Sequence, residues 1–401
     1  MADSTTTNKT ADRRAWLSLI RAFAGTTTSG VEALQRFGGC EPLLRASAGE
    51  LAQAGIGKNT IARLVNPDSA LLDSDHGWLD QPGCDLVTWH DEGYPPQLRD
   101  VPDPPLALFC RGNPQLLWLP QLAIVGTRNP SSGGLRHAQR FAAALAAHGL
   151  VITSGLALGV DGAAHRATLD AGGLTIAVAA TGPDRIYPAR HVGLATDIVR
   201  SGLIVSEFPP GWEPRRRSFP QRNRLISGLS LAVLVIEASV QSGSLITARI
   251  AGEQGRDVYA LPGSIDNPMA RGCHRLIKQG ARLLEDADEL IRDIAPRARK
   301  SAALRREQLD TSEKTRAGQS GREGAGTAIS GALGADDFLL DDDYKMLFDA
   351  VGFDELSVDL LVESTGLTAA SVSSMLLILE LRGLVQMGPG GGYCRTGEGW
   401  Q

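Results

Sequence analysis

Two hydrophobic periods divide the chain. Over Asp12–Val65 the apolar positions recur at helical spacing, as Trp16, Leu17, Leu19, Ile20 and Phe23, then as Val31, Leu34 and Phe37. This start reads as short helices. Asn66 to Asp91 reads as a polar connector with some helix, and Asn66-Pro67 as the stop of the helix before it. From Leu122 the pattern changes to apolar runs of strand length separated by helical stretches. The predicted strands are Leu122–Val125, Leu150–Thr153, Leu174–Ala179, Leu203–Ser206, Leu231–Ile236 and Asp257–Leu261. Helices are predicted near Leu135–His148, Gly162–Ala171, Val192–Ser201, Leu245–Gln254 and Cys273–Lys278. Such alternation predicts an α/β fold with a parallel sheet and crossover helices. Ligands of such sheets bind at the carboxyl ends of the strands.

Arg297 to Asp337 contains Ala, Gly, Ser, Glu and Arg but almost no large apolar residue, which predicts a flexible linker. A compact segment, Asp341 to Arg395, follows. Ser357-Val-Asp-Leu-Leu-Val-Glu-Ser-Thr-Gly-Leu367 predicts helix and turn, with a second helix from Thr368 to Arg382. Gly383 to Tyr393 reads as two short strands around a glycine wing, completing a winged-helix pattern. Its recognition-position helix, Ala369 to Leu381, has no Lys or Arg before Arg382, in acid-rich surroundings. DNA readers need phosphate-binding cations, so a protein-contact or regulatory module is favoured here.

Composition narrows the class. The 401 residues suffice for two or three domains, and 43% hydrophobic with 21% charged residues is ordinary for a globular protein. The apolar runs are too short to span a bilayer, and Met1 to Asp12 is polar and unlike a secretory signal, so no membrane partner is expected. Five scattered cysteines, never in a Cys-x-x-Cys pair, predict a reducing, cytoplasmic setting without a structural metal.

Against a formal net charge of -5, the stretch Arg215-Arg-Arg-Ser-Phe-Pro-Gln-Arg-Asn-Arg224 stands out with five arginines, and no acid occurs from Pro214 to Ile236. One reading is an anionic partner, with arginines for a nucleic-acid backbone and Phe219 for a base. The other is a solvated loop whose arginines pair with the acids of Leu284 to Asp293. Ala54-Gly-Ile-Gly-Lys-Asn-Thr60 is equally two-sided. It resembles the hairpin of a helix-hairpin-helix unit, but a plain glycine-containing turn between helices is the preferred reading.

Three glycine-rich junctions follow predicted strands. They are Gly126-Thr127-Arg128-Asn-Pro-Ser131-Ser-Gly133, Ser154-Gly155-Leu-Ala-Leu-Gly159-Val-Asp161-Gly162-Ala-Ala-His165-Arg166, and Glu237-Ala-Ser-Val-Gln-Ser242-Gly243-Ser-Leu-Ile-Thr247. Each places small residues and backbone amides at a helix N-terminus, where anions bind. Their convergence on one sheet edge predicts phosphate binding. The spacing of Gly155, Gly159 and Gly162 fails the dinucleotide fingerprint, and Gly57-Lys58 is followed by Asn59, so no P-loop exists. No nucleophile elbow is present and Ser242 has no obvious His partner. Asp161 and His165 read as an acid–base pair or, preferably, as an N-cap carboxylate and a helix-surface histidine. Glu237 either polarises a ligand or orders the next loop.

These residues carry a family resemblance. Gly126-x-Arg128, Ser154-Gly-x-Ala157-x-Gly159-Val-Asp161, Tyr187-Pro188, Ser206-Glu207, Phe219-Pro-x-Arg222-Asn223-Arg224, Glu237-Ala-x-x-x-Ser242-Gly243-Ser244 and Leu261-Pro-Gly263 together resemble the DNA-processing protein A (DprA, or Smf) family, from about Tyr94 to Leu290. The resemblance implies an extended Rossmann-like domain over 85–295. A small helical domain of SAM or helix-hairpin-helix type precedes it over 12–80; a linker over 296–338 and a winged helix over 339–397 follow. It also implies single-stranded DNA binding without sequence preference, a homodimer, and loading of the RecA recombinase in natural transformation, with no cofactor, metal or catalytic residue. Carried over by position, Gly126, Thr127 and Arg128 would hold phosphates. Ser154, Gly155, Gly159, Asp161, His165, Arg222, Asn223, Arg224, Ser242, Gly243 and Thr247 would line the same groove, with Phe219 stacking on a base. Arg190 would replace the family's basic residue after Tyr-Pro. Asn267 to His274 departs from the family's small polar positions. The competing class is a phosphoribohydrolase-like nucleotide enzyme, which would need a carboxylate soon after the fifth-strand loop; here no acid follows until Glu253. A third possibility is a regulatory scaffold whose winged helix binds a partner.

Overall fold

The computed structural model describes residues 4–26, 29–300, 342–352, 355–381, 384–388 and 391–395. Six helices open the chain: α1 (Ser4–Phe23), α2 (Gly30–Phe37), α3 (Cys40–Arg45), α4 (Ala48–Gln53), α5 (Lys58–Val65) and α6 (Ser69–Leu79). Their starts are encoded locally. The Ser29 hydroxyl accepts from Glu32 N, Ser47 and Glu50 form a capping box, and the Asp68 carboxylate accepts from Ala70 N and Leu71 N. Leu17, Leu19, Leu34, Leu43 and Leu51 close a shared core. The glycine segment Ala54 to Gly57 is the turn between α4 and α5.

The connector expected over Asn66–Asp91 is instead structured. It holds α6 and an edge strand, β1 (Cys84–Thr88), because Leu72, Trp78 and Leu79 have a surface to cover. Trp78 packs edge-on to Phe109 at 6.0 Å between ring centroids. Phe109 belongs to β2 (Ala107–Gly112), a second strand that the apolar pattern did not separate from its surroundings.

The predicted alternation follows as β3 (Gln121–Val125), α7 (Ser132–Ala147), β4 (Val151–Ser154), α8 (Val160–Asp170), β5 (Thr175–Val178), α9 (Val192–Ser201) and β6 (Leu203–Ser206). Next come α10 (Ser218–Leu229), β7 (Ala232–Val235), α11 (Ser244–Glu253), β8 (Asp257–Ala260), α12 (Arg271–Lys278) and β9 (Arg282–Leu283). Strands β3 to β7 are buried along their whole length, which explains their unbroken apolar runs. The sheet order is β1-β2-β6-β5-β4-β3-β7-β8-β9. The β1–β2 and β2–β6 pairs are antiparallel and all other pairs are parallel. From β3 the chain winds outward through β4, β5 and β6, then returns to place β7 on β3's other side. The gap between the β3 and β7 loops is thus the switch point of the sheet, where such folds open a crevice.

The arginine-rich stretch is not a loop throughout, because α10 begins at Ser218. Pro220 sits in the first turn, where an amide hydrogen has no helical partner to lose. Every residue from Arg222 to Leu229 is buried.

Chain contacts define two compact units: residues 1–142, 151–169 and 174–285 in one, and 143–150, 170–173 and 286–401 in the other. The second contains a winged helix, with helices Asp342–Ala350, Val358–Thr365 and Ala369–Leu381 and an antiparallel pair, β10 (Val385–Met387) and β11 (Tyr393–Arg395). Leu347, Val351, Leu361, Val372, Leu376 and Leu379 form its core. Of the stretch expected to be a linker, residues 296–300 are helical, and the remainder lies outside the described residues.

Candidate nucleic-acid interface

The cleft at the switch point has a volume of about 400 Å³. Its walls are the β3 loop, the β4 loop, the first turns of α10, and the β7 loop running into α11. Glu237, two residues past the end of β7, organises one wall. Its carboxylate accepts from Ser131 N at 2.8 Å, Ser131 Oγ at 2.6 Å and Asn267 Nδ2 at 3.0 Å. Its carbonyl accepts from Thr127 N at 2.7 Å. Of the two roles the sequence left open for Glu237, this geometry is loop ordering. It also gives Asn267, in the stretch that departs from the family pattern, a definite partner.

The β4 loop is built on an internal ion. The Asp161 carboxylate accepts from Gly155 N at 3.1 Å and Ala157 N at 3.3 Å, so those two amides are already occupied. Burial pushes the Asp161 carboxyl above its ordinary range, against the pull of Arg222 and the amide donors. Gly159 has φ +82, and a Cβ there would lie 2.5 Å from Thr127 O. That contact locks the β4 loop onto the β3 loop.

Arg222 is the cation for this ion. It is 5% exposed, and its Nη1 donates to Gly155 O at 2.6 Å and also to Val178 O. Burial lowers it to about 10, with Asp161 opposing. Arg222 therefore borders the cleft while its guanidinium is spent on the ends of β4 and β5. Asn223 is its neighbour on the cleft wall and accepts from Arg222 Nε at 3.2 Å. Arg224 points elsewhere. It donates to Glu207 Oε2 at 2.6 Å, stands 3.6 Å from Asp103, and is absent from the cleft wall.

The cleft's exposed cation is Arg128, whose guanidinium carbon lies 5.5 Å from the centroid of Phe219. Tyr187 extends this surface; its ring centroid is 5.7 Å from that of Phe219 and it is 47% exposed. The site residues inferred from sequence did not include Tyr187, although its Tyr-Pro pair was visible. On the opposite wall, Ser242 and Ser244 hydroxyls stand 2.7 Å apart at the start of α11, beside Gly243 and Thr247. The Gly243 amide makes no hydrogen bond among the described residues and lies at a helix N-terminus.

Five other predicted residues lie off the cleft wall, Gly155 and Gly159 of the β4 loop among them. Ser154 is fully buried and donates to Ile124 O at 2.6 Å. His165 is likewise buried, correcting the expected helix-surface histidine. Its Nδ1 bonds Thr175 Oγ1 at 2.7 Å, Nε2 has no partner, and burial lowers the imidazole to about 3. Arg190 is exposed on the turn Ala189–His191, outside the cleft wall. Among the described residues no group of His, Cys, Asp or Glu is placed to hold a metal ion, and no helix is long and apolar enough to cross a membrane. No ion pair joins Arg215, Arg216 or Arg217 to Leu284–Asp293 among the described residues.

Fold and cleft define a protein with an extended Rossmann-like sheet, a crevice at its switch point and a winged helix. Comparison with known proteins supplies the family. A profile described as DNA recombination-mediator protein A matches residues 85–295, and one described as the DprA winged helix domain matches residues 333–391. Protein Smf of Escherichia coli is 39% identical over 348 residues, 85% of each chain. DNA processing protein DprA of Streptococcus pneumoniae is 44% identical over 204 residues, 51% of this chain and 72% of that relative. The crystal structure of the Streptococcus pneumoniae protein superposes with a TM-score of 0.62 at 34% identity, covering 69% of this chain and 96% of that one. The chain belongs to the DprA/Smf family of DNA-processing proteins.

Proposed function

We propose that this protein binds single-stranded DNA without sequence preference in the switch-point cleft and loads a RecA-type recombinase onto it in recombination and natural transformation. It acts as a homodimer and without chemistry of its own. The observation that carries the reading is the exposed Arg128–Phe219–Tyr187 surface facing the α11 N-terminus. A cation beside two adjoining aromatic rings suits a flexible strand, whose bases are free to unstack onto aromatics; a duplex keeps its bases inside. Among the described residues lining the cleft, Asp161 is the one carboxylate, and it is committed to two backbone amides. A glycosidic hydrolase needs a carboxylate free to reach its substrate, so the enzymatic alternative has less support.

The winged helix fits a protein-contact role. From Asp341 to Arg395 there are nine acids and three bases. One of those bases, Arg395, donates to Val351 O at 2.6 Å and Phe348 O at 3.1 Å, inside the module.

An anisotropy titration with single- and double-stranded oligonucleotides at two salt concentrations tests the binding half. Preference for the single strand, with a salt slope that falls in Arg128→Ala, is expected; equal affinity for duplex, or an unchanged slope, removes the cleft assignment. The mediator half predicts a shorter lag in RecA ATPase on DNA precoated with single-strand binding protein. An unaltered lag removes that half alone.

A further inference from the structure

A second cavity, of about 340 Å³, lies where the helical segment meets the sheet, and the motifs did not point to it. Its walls include Arg21 from α1, Arg63 and Asn66 at the end of α5, and Trp212 with Arg215 just ahead of α10. We propose that this cavity is a second phosphate subsite for the DNA strand held by the cleft. The proposal rests on that reading of the cleft and extends it.

The cavity is built, because Trp212 is fixed on several sides. Its ring stacks on Phe208 at 5.3 Å and 10°, its Nε1 donates to Ser218 Oγ at 3.2 Å, and a Cβ on Gly25 would lie 2.9 Å from it. The guanidinium of Arg215 lies 4.2 Å from the centroid of the Trp212 ring, which holds the charge at the cavity mouth.

Charge accounting leaves the cavity positive. Arg21 is matched by the fully buried Asp75, bonded at 2.5 and 2.8 Å, and it also donates to Pro210 O at 2.9 Å. The Asp68 carboxylate faces the α6 amides of Ala70 and Leu71. Arg63 donates to Ala22 O and Ala24 O at 3.2 and 3.4 Å, which satisfies hydrogens without cancelling charge. No ion pair with Arg63 or Arg215 occurs among the described residues. Two guanidinium charges therefore face the single Asp68 carboxylate, leaving a net positive charge on polar, half-open space, the setting in which a phosphate is favoured.

Position makes the ligand a strand already bound. Arg215 O accepts from Ser218 N, so Arg215 forms the turn leading into α10, and Phe219 in the next turn lines the cleft. Phe219 follows Arg215 by four positions, which limits their Cα distance to at most about 15 Å. A strand stacked on Phe219 reaches the cavity within a few nucleotides.

The test is a length series of oligothymidines, from about four to about 24 nucleotides, on the full chain. The wild type should gain a step in affinity once the strand outgrows the cleft. Arg63→Ala with Arg215→Ala should match the wild type on the shortest strands and lose about fivefold to tenfold on long ones, its salt slope falling by about 0.7 for the one phosphate lost. If Arg63→Ala perturbs α1, Arg215→Ala alone should lower the slope by about 0.7, and Arg215→Lys should restore it. Affinity unchanged at every length, or reduced by one constant factor at every length, overturns the subsite. Arg128→Ala should weaken short and long strands alike; if it weakens neither, the cleft reading itself has failed.

Discussion

Arg215, Arg216 and Arg217 stand in solvent ahead of α10, whereas Arg222 and Arg224, inside the same ten-residue stretch, are buried. The first group sits where the chain has not yet entered the helix. The second lies in the part of α10 that packs against the strand ends, so their guanidinium groups must be hydrogen-bonded within the protein. Arg222 joins the ends of β4 and β5 through Gly155 O and Val178 O. Arg224 joins the segment after β6 to the chain before β2 through Glu207 and Asp103. A count of arginines thus overstates the field available to a ligand. Of the buried pair, Arg222 shapes the cleft and Arg224 ties chain segments away from it, while the exposed residues, with Arg128, supply the field.

Stability should respond most to Arg224→Ala, which leaves Glu207 buried without its cation. A loss of about 3–5 kcal/mol in urea unfolding is expected. Burial holds the Glu207 carboxyl above its ordinary range despite Arg224. Such a group keeps its proton in the folded protein where the unfolded chain has lost it, so stability falls as pH rises above the unfolded value of about 4.3. Removing Arg224 deepens that fall, and the variant should recover at about pH 5 relative to pH 7. A pH-independent deficit would contradict the pairing.

Arg222→Ala comes next, at about 1.5–3 kcal/mol, because two carbonyls and Asp161 lose a charged partner. DNA affinity should fall with it, as the β4 loop loosens. Phe219→Ala should cost about 1–3 kcal/mol of single-strand affinity, read by anisotropy, through the lost stacking surface. Arg128→Ala should have the smallest footprint, reducing the salt slope by about 0.7 while leaving the unfolding midpoint within about 0.5 kcal/mol. If Arg128→Ala unfolds the protein while Arg224→Ala weakens only DNA binding, the contrast between the two arginine groups is inverted.

Much of the sheet was legible before the structure. Buried parallel strands are unbroken apolar runs, so β3 to β7 announced themselves within a residue or two of their ends. The β1 strand did not, since it is an edge strand with only part of its length covered. Helix α10 was hidden because arginines and Pro220 read as loop. The carbonyls of Gly155 and Val178, with Asn223 Oδ1 and the nearby Asp161 carboxylate, make a buried Arg222 tolerable in a helix. At the cleft, the glycine junctions were visible, but the carboxylate that pre-empts two β4-loop amides was not read as such. His165 was assigned to a surface it does not occupy, because burial of a helical histidine depends on the strand behind it, here Thr175 on β5.

By itself the sequence determined the alternation of strands and helices, the glycine turns at the strand ends and the winged-helix pattern. Those features rest on local rules: hydrophobic period, turn conformation and capping. Tertiary structure alone decided which arginines face solvent, which carboxylates hold loops, and that Tyr187 joins Phe219. A charge or ring acquires its role from partners far along the chain, as Arg222 does from Gly155, 67 residues earlier.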